Sequence, residues 1–365
     1  MTDHIRLFNP GPVEVRRKVL DAQTGWMISH RGKAFETLFA RIQLGLRAVF
    51  ETEHRVFVST SSGTGLWEAA ARNCVGDDPA RGVLALVCGD FSERWADVFA
   101  RNGKYVEVLS VPRGRANPVD ALAAALRTRA TPFDAVAWVD NETSTGVHNP
   151  TPALAEAIRA LAPDTLTLVD AVSSAGGDRV ATDAWGLDVV LTSSQKCFGL
   201  PPGLAFAAVS DRALARAAQI PNRGYYFDFI ELEAFLRKNS TPSTPALSLL
   251  NALDRQLADM QAEGLPARYA RHAEMARMTQ DWALENGFGL FAEPGARSNT
   301  VTVVSNARGI DLAAINAGLA RVGMSVAEGY GPLKGSTFRI AHMGDTQPAD
   351  LHALLTAFSA LLPHG

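Results

Sequence analysis

Strand-sized apolar runs alternating with helical patterns are the strongest constraint on how this chain folds. The runs are Arg55–Thr60, Val83–Cys88, Tyr105–Val111, Ala135–Val139, Leu166–Val169, Val189–Thr192 and Leu204–Val209. Helical spacing fills the intervals at Thr64–Cys74, Ser92–Asn102, Val119–Arg129 and Thr151–Leu161. Strands apolar at nearly every position are buried on both faces, and helical crossovers leave neighbouring strands parallel. The expectation is an α/β fold with a mostly parallel central sheet between helices. In such sheets reactive groups sit on loops at the carboxyl ends of the strands.

Outside this region the pattern changes. Lys33–Phe50 carries Phe35, Leu38, Phe39, Ile42, Leu46 and Val49 at helical spacing and reads as a core-packing helix. Beyond about residue 245, Pro245–Glu263 and Pro266–Glu285 read as long helices. A shorter α+β pattern follows at Thr300–Val304, Leu312–Ala320, Ser336–His342 and Ala349–Leu362. The 365 residues therefore suit a large unit over 13–250 and a smaller one made of 1–12 and 251–365. The two prolines within Asn239–Pro245 mark the candidate boundary.

Composition narrows the function classes. The formal charge is −3, from 35 basic and 38 acidic residues, so no basic excess exists to hold a phosphate backbone. A nucleic-acid partner is not expected. No apolar run approaches the roughly 18 residues of a membrane helix, and Met1–Arg6 lacks an apolar signal region. Cys74, Cys88 and Cys197 are three, with no Cys-x-x-Cys pair, so free thiols in a reducing, cytoplasmic compartment are expected and no metal site is indicated. Cys197 reads as structural, because no histidine or other base adjoins it.

Three strand-end loops could carry chemistry. Ser61-Ser62-Gly63-Thr64-Gly65 lies between a strand and a helix, where small residues, hydroxyls and the helix N-terminus favour an anion. It is not a P-loop, since no Gly-Lys-Ser/Thr follows. Asp170 ends an apolar strand; alone, it reads as a cap or turn residue, or as a buried carboxylate kept ionised by a cation. Lys196 follows Val189–Thr192 and is flanked by Phe198, Leu200 and Pro201-Pro202. Partial desolvation there would lower its pKa and make it a Schiff-base nucleophile. A phosphate cradle, a strand-end acid and a lysine 26 residues later are together what pyridoxal 5'-phosphate requires.

With these residues the chain resembles the class V, fold-type I pyridoxal-phosphate-dependent aminotransferases, in the branch of alanine/serine–glyoxylate and phosphoserine aminotransferases. The resemblance runs from Asn9-Pro10-Gly11-Pro12 to the helix after Arg339. It implies a large domain with a mostly parallel sheet, a smaller α+β domain, and a homodimer with active sites at the subunit interface. It further implies that Ser62, Gly63 and Thr64 form the phosphate loop and that Phe91 lies against the cofactor ring. Many members have tryptophan at the position of Phe91. Thr143 would donate to the cofactor's phenolic oxygen, and Asp170 would pair with the ring nitrogen. Gln195 would contact the phosphate or ring substituents. Lys196 would form the imine and shuttle the proton. Ser240 and Thr241 would reach the partner's cofactor phosphate. Arg339 would clamp the substrate α-carboxylate, with Gly11 also on the substrate side.

Substrate choice pulls two ways. Ser29-His30-Arg31-Gly32-Lys33 resembles the phosphoserine-enzyme stretch whose His-Arg pair binds a substrate phosphate across the interface. Gly331–Ser336 instead resembles glyoxylate-type members, lacking a second His-Arg pair, with Lys334 as a possible substitute charge. The resulting expectation is transfer between serine or alanine and glyoxylate or pyruvate. The alternative is O-phosphoserine with 2-oxoglutarate, followed by a lyase such as a cysteine desulfurase or kynureninase-like enzyme. A non-enzymatic scaffold of the same fold comes last.

Overall fold

The computed structural model describes residues 4–363. Its larger sheet has seven strands in the order Arg55–Ser59, Ala205–Val209, Val189–Ser193, Leu166–Asp170, Ala135–Val139, Val83–Val87 and Val106–Ser110. Ala205–Val209 runs antiparallel to both neighbours, and the remaining pairings are parallel. Alternate side chains sort to opposite faces. Val136 and Trp138 pack in a layer with Phe39, Ile42 and Leu46 of helix Lys33–Phe50. Ala135, Ala137 and Val139 pack in the opposite layer with Leu66 and Trp67 of helix Gly63–Cys74 and Trp95 of helix Asp90–Arg101. Burial on both faces is why these strands lack polar alternation.

A second sheet of five strands runs Arg6–Phe8, Met324–Glu328, Thr337–Ala341, Val301–Ser305 and Gly289–Leu290. Arg6–Phe8 pairs in parallel with Met324–Glu328, which stitches the N-terminal arm to the C-terminal part of the chain. Of the N-terminal arm, residues 1–3 lie outside the described residues. Neither of these two strands stood out in the sequence, because Arg6–Phe8 has only three residues and Met324–Glu328 is partly solvated along most of its length.

Helix Leu247–Glu263 crosses position 250 without interruption. Its Leu250, Leu253, Leu257 and Met260 belong to the apolar layer of the large sheet, beside helix Lys33–Phe50. The proline-rich stretch is thus a loop beside the large sheet, and the helix that follows it ends at Gly264. Helix Leu265–Glu285 then adds Met275 and Trp282 to the small-sheet core, with Phe288, Phe338 and Phe358. Among the described residues, no helix is long and apolar enough to cross a membrane.

Candidate active site

Strands Ala135–Val139, Leu166–Asp170 and Val189–Ser193 are neighbours and end on the same edge, with Asp170 level with Val139 and Leu191. Their C-terminal loops deliver Asn141 and Thr143, then Asp170 and Ser173, then Gln195 and Lys196, to one cavity of about 420 Å³. The facing side is closed by Gly11, the Ser62–Thr64 loop and Phe91. The volume lies within the range usual for small-molecule sites.

Lys196 sits in a turn pinned from below. The Ser194 hydroxyl donates to Pro201 O (2.7 Å) and accepts from Leu204 N, and Gly199 N donates to Lys196 O (2.8 Å). The ammonium donates to Pro10 O and faces the Phe91 ring at 5.9 Å. Phe198 and Leu200 turn into the core, so the N-terminal arm supplies much of the enclosure. Gly11 has φ +128, and a Cβ there would lie 2.6 Å from Lys196 Nζ, so only glycine permits this approach. Burial lowers the Lys196 pKa to about 8, with Arg339 adding to the effect and Asp170 opposing it.

Asp170 is buried, and its carboxylate accepts from Val172 N (2.7 Å) and from Trp67 Nε1 (2.6 Å). Burial raises its pKa to about 7 despite these donors and Lys196, with Glu142 adding to the rise. An acid in this condition is stabilised in its charged form by a cation placed against it. Trp67 was not foreseen; an indole four residues after Gly63 on an amphipathic helix reads as core. The signal was present in the spacing, since Gly63 and Trp67 share a helix face.

Two further groups set the aromatic wall. Buried Glu142 accepts from Phe91 N (3.2 Å), Ser92 N (2.9 Å) and the Ser144 hydroxyl (2.6 Å). It thereby caps helix Asp90–Arg101 and fixes Phe91 relative to the Thr143 loop. The Thr143 hydroxyl pairs with that of Ser173. The cavity also contains buried polar atoms without a hydrogen-bond partner among the described residues, Ser193 Oγ and Gln195 Oε1. At Gly63 an added Cβ would meet Val172 at 2.7 Å, so backbone there approaches the cavity closely. Orphan polar atoms, a glycine-lined helix N-terminus, a buried carboxylate and a desolvated amine fit pyridoxal phosphate in donor set and size.

Arg339 lies in strand Thr337–Ala341 of the small sheet and does not itself line the Lys196 cavity; its charge adds to the lowering of the Lys196 pKa, and its Nε donates to Glu328 O (3.0 Å). Four other expected site residues gather elsewhere. Arg31 donates to Ser240 Oγ (2.9 Å) and Thr241 O (2.6 Å), and His30 Nε2 lies 3.5 Å from Thr244 Oγ1. None of His30, Arg31, Ser240 and Thr241 lines the Lys196 cavity. Lys334 is largely exposed, pairs with Glu328 at 3.4 Å and does not line the cavity. Cys197 points away into a buried cluster, and burial pushes its thiol up to about 12.

The family model for aminotransferase class-V matches residues 15–334. The chain is 33% identical to the L-aspartate–glyoxylate aminotransferase of Paracoccus denitrificans, covering 98% of this chain and 91% of that one. It is also 33% identical to the serine–glyoxylate aminotransferase of Methylorubrum extorquens, with the same coverages of 98% and 91%. Among solved structures, the alanine–glyoxylate aminotransferase of Nostoc sp. superposes with a TM-score of 0.91 at 30% identity, covering 100% of this chain and 96% of that one. With the strand-end lysine and acid in one cavity, these findings establish that the chain belongs to the class-V aminotransferases, transaminases that depend on pyridoxal phosphate.

Proposed function

We propose that this transaminase moves an amino group from a small L-amino acid, serine or alanine, to glyoxylate or pyruvate. The observation that carries the donor class is the likeness over nearly the whole chain to proteins named for serine or alanine as the donor. Glyoxylate as acceptor is supported by its appearance in the names of all three similar proteins, whose donors differ. O-Phosphoserine is the second reading. It is favoured by the open cluster of His30, Arg31 and Lys238, which would need to face a second protomer's cavity. A desulfurase reading loses support from Cys197, which is buried and protonated.

Pyridoxal phosphate, when bound, supplies an aldehyde that links to amines and a ring that takes up electrons released at the substrate Cα. Ser62, Gly63, Thr64 and Gln195 would hold its phosphate, and Thr143 and Asp170 its ring, with Phe91 against one face. Arg339 binds the substrate α-carboxylate through its planar guanidinium and so orients the Cα–H bond. Lys196 Nζ, which burial leaves neutral in useful proportion, would accept the Cα proton and hold it for return. Gly11 and Pro10 exclude water around that nitrogen.

The separated cluster of His30, Arg31, Ser240 and Thr241 supports a homodimer in which each chain completes the other's site. Trp26 and Tyr225, 96% and 88% exposed in the single chain, support a covering partner as well. Three buried free thiols support a reducing, cytoplasmic setting.

Mixing purified holoenzyme with single amino acids tests the donor. Serine or alanine should convert the lysine-bound cofactor to its amine form within seconds, detected as a shift in absorbance. Conversion by O-phosphoserine and glutamate alone would replace this reading with the second. The lysine environment is tested by loading the cofactor-free protein at varied pH. Coupling needs the neutral amine, whose fraction rises with pH. A pKa of about 8 gives a rate that climbs through pH 8 and levels off near pH 9. At pH 7 it should be on the order of 100-fold or more above an ordinary lysine's. A rate still climbing in proportion to hydroxide beyond pH 10 would contradict the buried geometry.

A further inference from the structure

Tyr330 lies in the loop between strands Met324–Glu328 and Thr337–Ala341 and was not singled out by the sequence. It does not line the Lys196 cavity, yet it touches residues that do. Its ring stacks on Phe91, with centroids 5.1 Å apart and planes at 28°. The Arg339 guanidinium lies 5.3 Å from the centroid of the same ring. Its hydroxyl accepts from Arg94 Nη1 at 3.2 Å, and Arg94 lies over both Phe91 and Trp67. The loop is seated tightly, since a Cβ at Gly331 would collide with the Asp90 carboxylate. One phenol ring on the small-sheet side thus contacts the wall aromatic and the carboxylate-binding arginine.

Arg339 has few other anchors. Nε donates to Glu328 O, and no carboxylate among the described residues forms an ion pair with it. That leaves the rest of the guanidinium fork free for a substrate carboxylate, and it leaves the orientation of the fork to the ring beneath it. A guanidinium stacked on an aromatic face keeps its in-plane donors available for bidentate bonding.

We propose that Tyr330 is a positioning residue for the substrate α-carboxylate, holding Arg339 in plane and bracing Phe91 through one stack. The inference rests on the transaminase reading, in which Arg339 meets the carboxylate. The carboxylate is held by Arg339 in substrate and transition state alike, and once it is bound the Cα–H orientation is kept, so loss of Tyr330 raises KM far more than it lowers kcat.

The test compares Tyr330→Leu and Tyr330→Phe with wild-type holoenzyme in steady-state kinetics and in calorimetric binding of α-methyl-L-serine, which has no Cα proton to transfer. Tyr330→Leu should raise KM for amino acid and oxo acid about tenfold and weaken α-methyl-L-serine binding equally, with kcat within a few-fold of wild type. Tyr330→Phe keeps the ring and should restore both to within about threefold. Unchanged KM and binding in Tyr330→Leu, or a fall in kcat alone, would overturn the proposal. So would a Tyr330→Phe protein as impaired as Tyr330→Leu, which would place the effect in the Arg94 bond. A misfolded Tyr330→Leu leaves Tyr330→Phe against Arg94→Ala as the deciding pair: Phe near wild type supports the ring's role, and Phe impaired overturns it. Failure of wild type to transaminate any amino acid would reject the function instead, while the binding comparison would still judge Tyr330.

Discussion

Lys196→Ala should lower turnover by at least about 10⁴-fold. It should also abolish the cofactor adduct that borohydride reduction fixes on the wild-type chain. Both effects have one cause. The other cation lining the cavity is Arg94, whose guanidinium remains protonated and can neither attack an aldehyde nor accept the Cα proton. Lys196→Arg should therefore be as inactive as the alanine variant, although it keeps the charge. The fold should survive the change, because the ammonium is a buried charge whose partner is a single carbonyl, Pro10 O. A soluble small amine should restore part of the proton transfer in Lys196→Ala and nothing in Lys196→Arg, where the longer side chain fills the space. Peptide mapping of the reduced wild-type protein checks the position directly, with the adduct expected on Lys196. An adduct elsewhere, or an alanine variant with full activity, would remove Lys196 from the mechanism.

The lysine and the acid were legible only together: alone, a strand-end acid reads as a cap or turn residue and a lysine as a surface charge, but with a glycine-rich strand-to-helix loop and a spacing of 26 residues they match one cofactor's needs. The neighbours that tune them were hidden for physical reasons. Trp67 bonds Asp170 across 103 residues, yet in its own helix it repeats every feature of a core residue. Glu142 caps a helix 50 residues earlier in the chain, a bond no local capping pattern announces. Arg268 is 1% exposed, donates to Cys197 O and Gly176 O, and pairs with Asp345. It braces the lysine turn from a helix that looks amphipathic and unremarkable in sequence. Pro10 and Gly11 were placed by resemblance, but their contact with Lys196 depends on the N-terminal strand pairing in the small sheet, a long-range event. The path of the chain after the proline-rich stretch is set by a long-range event as well. Two prolines are a strong local signal, but Leu250, Leu253, Leu257 and Met260 face helix Lys33–Phe50, and tertiary packing decided where the chain went.

Asp170→Asn should lower turnover by about 10³-fold, since an amide cannot hold a proton on the ring nitrogen by charge. The same variant has a second readout that needs no cofactor. Burial raises the Asp170 pKa from 3.8 to about 7 in the folded chain. A raised folded-state pKa contributes stability that is complete below the unfolded value and is lost as pH rises through the folded one. In cofactor-free wild type this group should therefore remove on the order of 4 kcal/mol between pH 4 and pH 8. Lys196 contributes with the opposite slope. Its folded pKa is depressed to about 8, so its share is complete above 10.5 and declines as pH falls through 8. Asp170→Asn isolates the first effect by abolishing it. Denaturant unfolding at stepped pH should show wild type losing stability toward pH 8 relative to the variant. The absolute offset at low pH should be small and unfavourable, because an amide oxygen satisfies only one of the donors Val172 N and Trp67 Nε1. Saturating pyridoxal phosphate should reverse the order at pH 8, because a protonated ring nitrogen supplies the cation that the buried carboxylate lacks. Identical pH slopes for the two cofactor-free proteins would mean that Asp170 is ionised without cost, and the pairing with the ring nitrogen would lose its electrostatic basis.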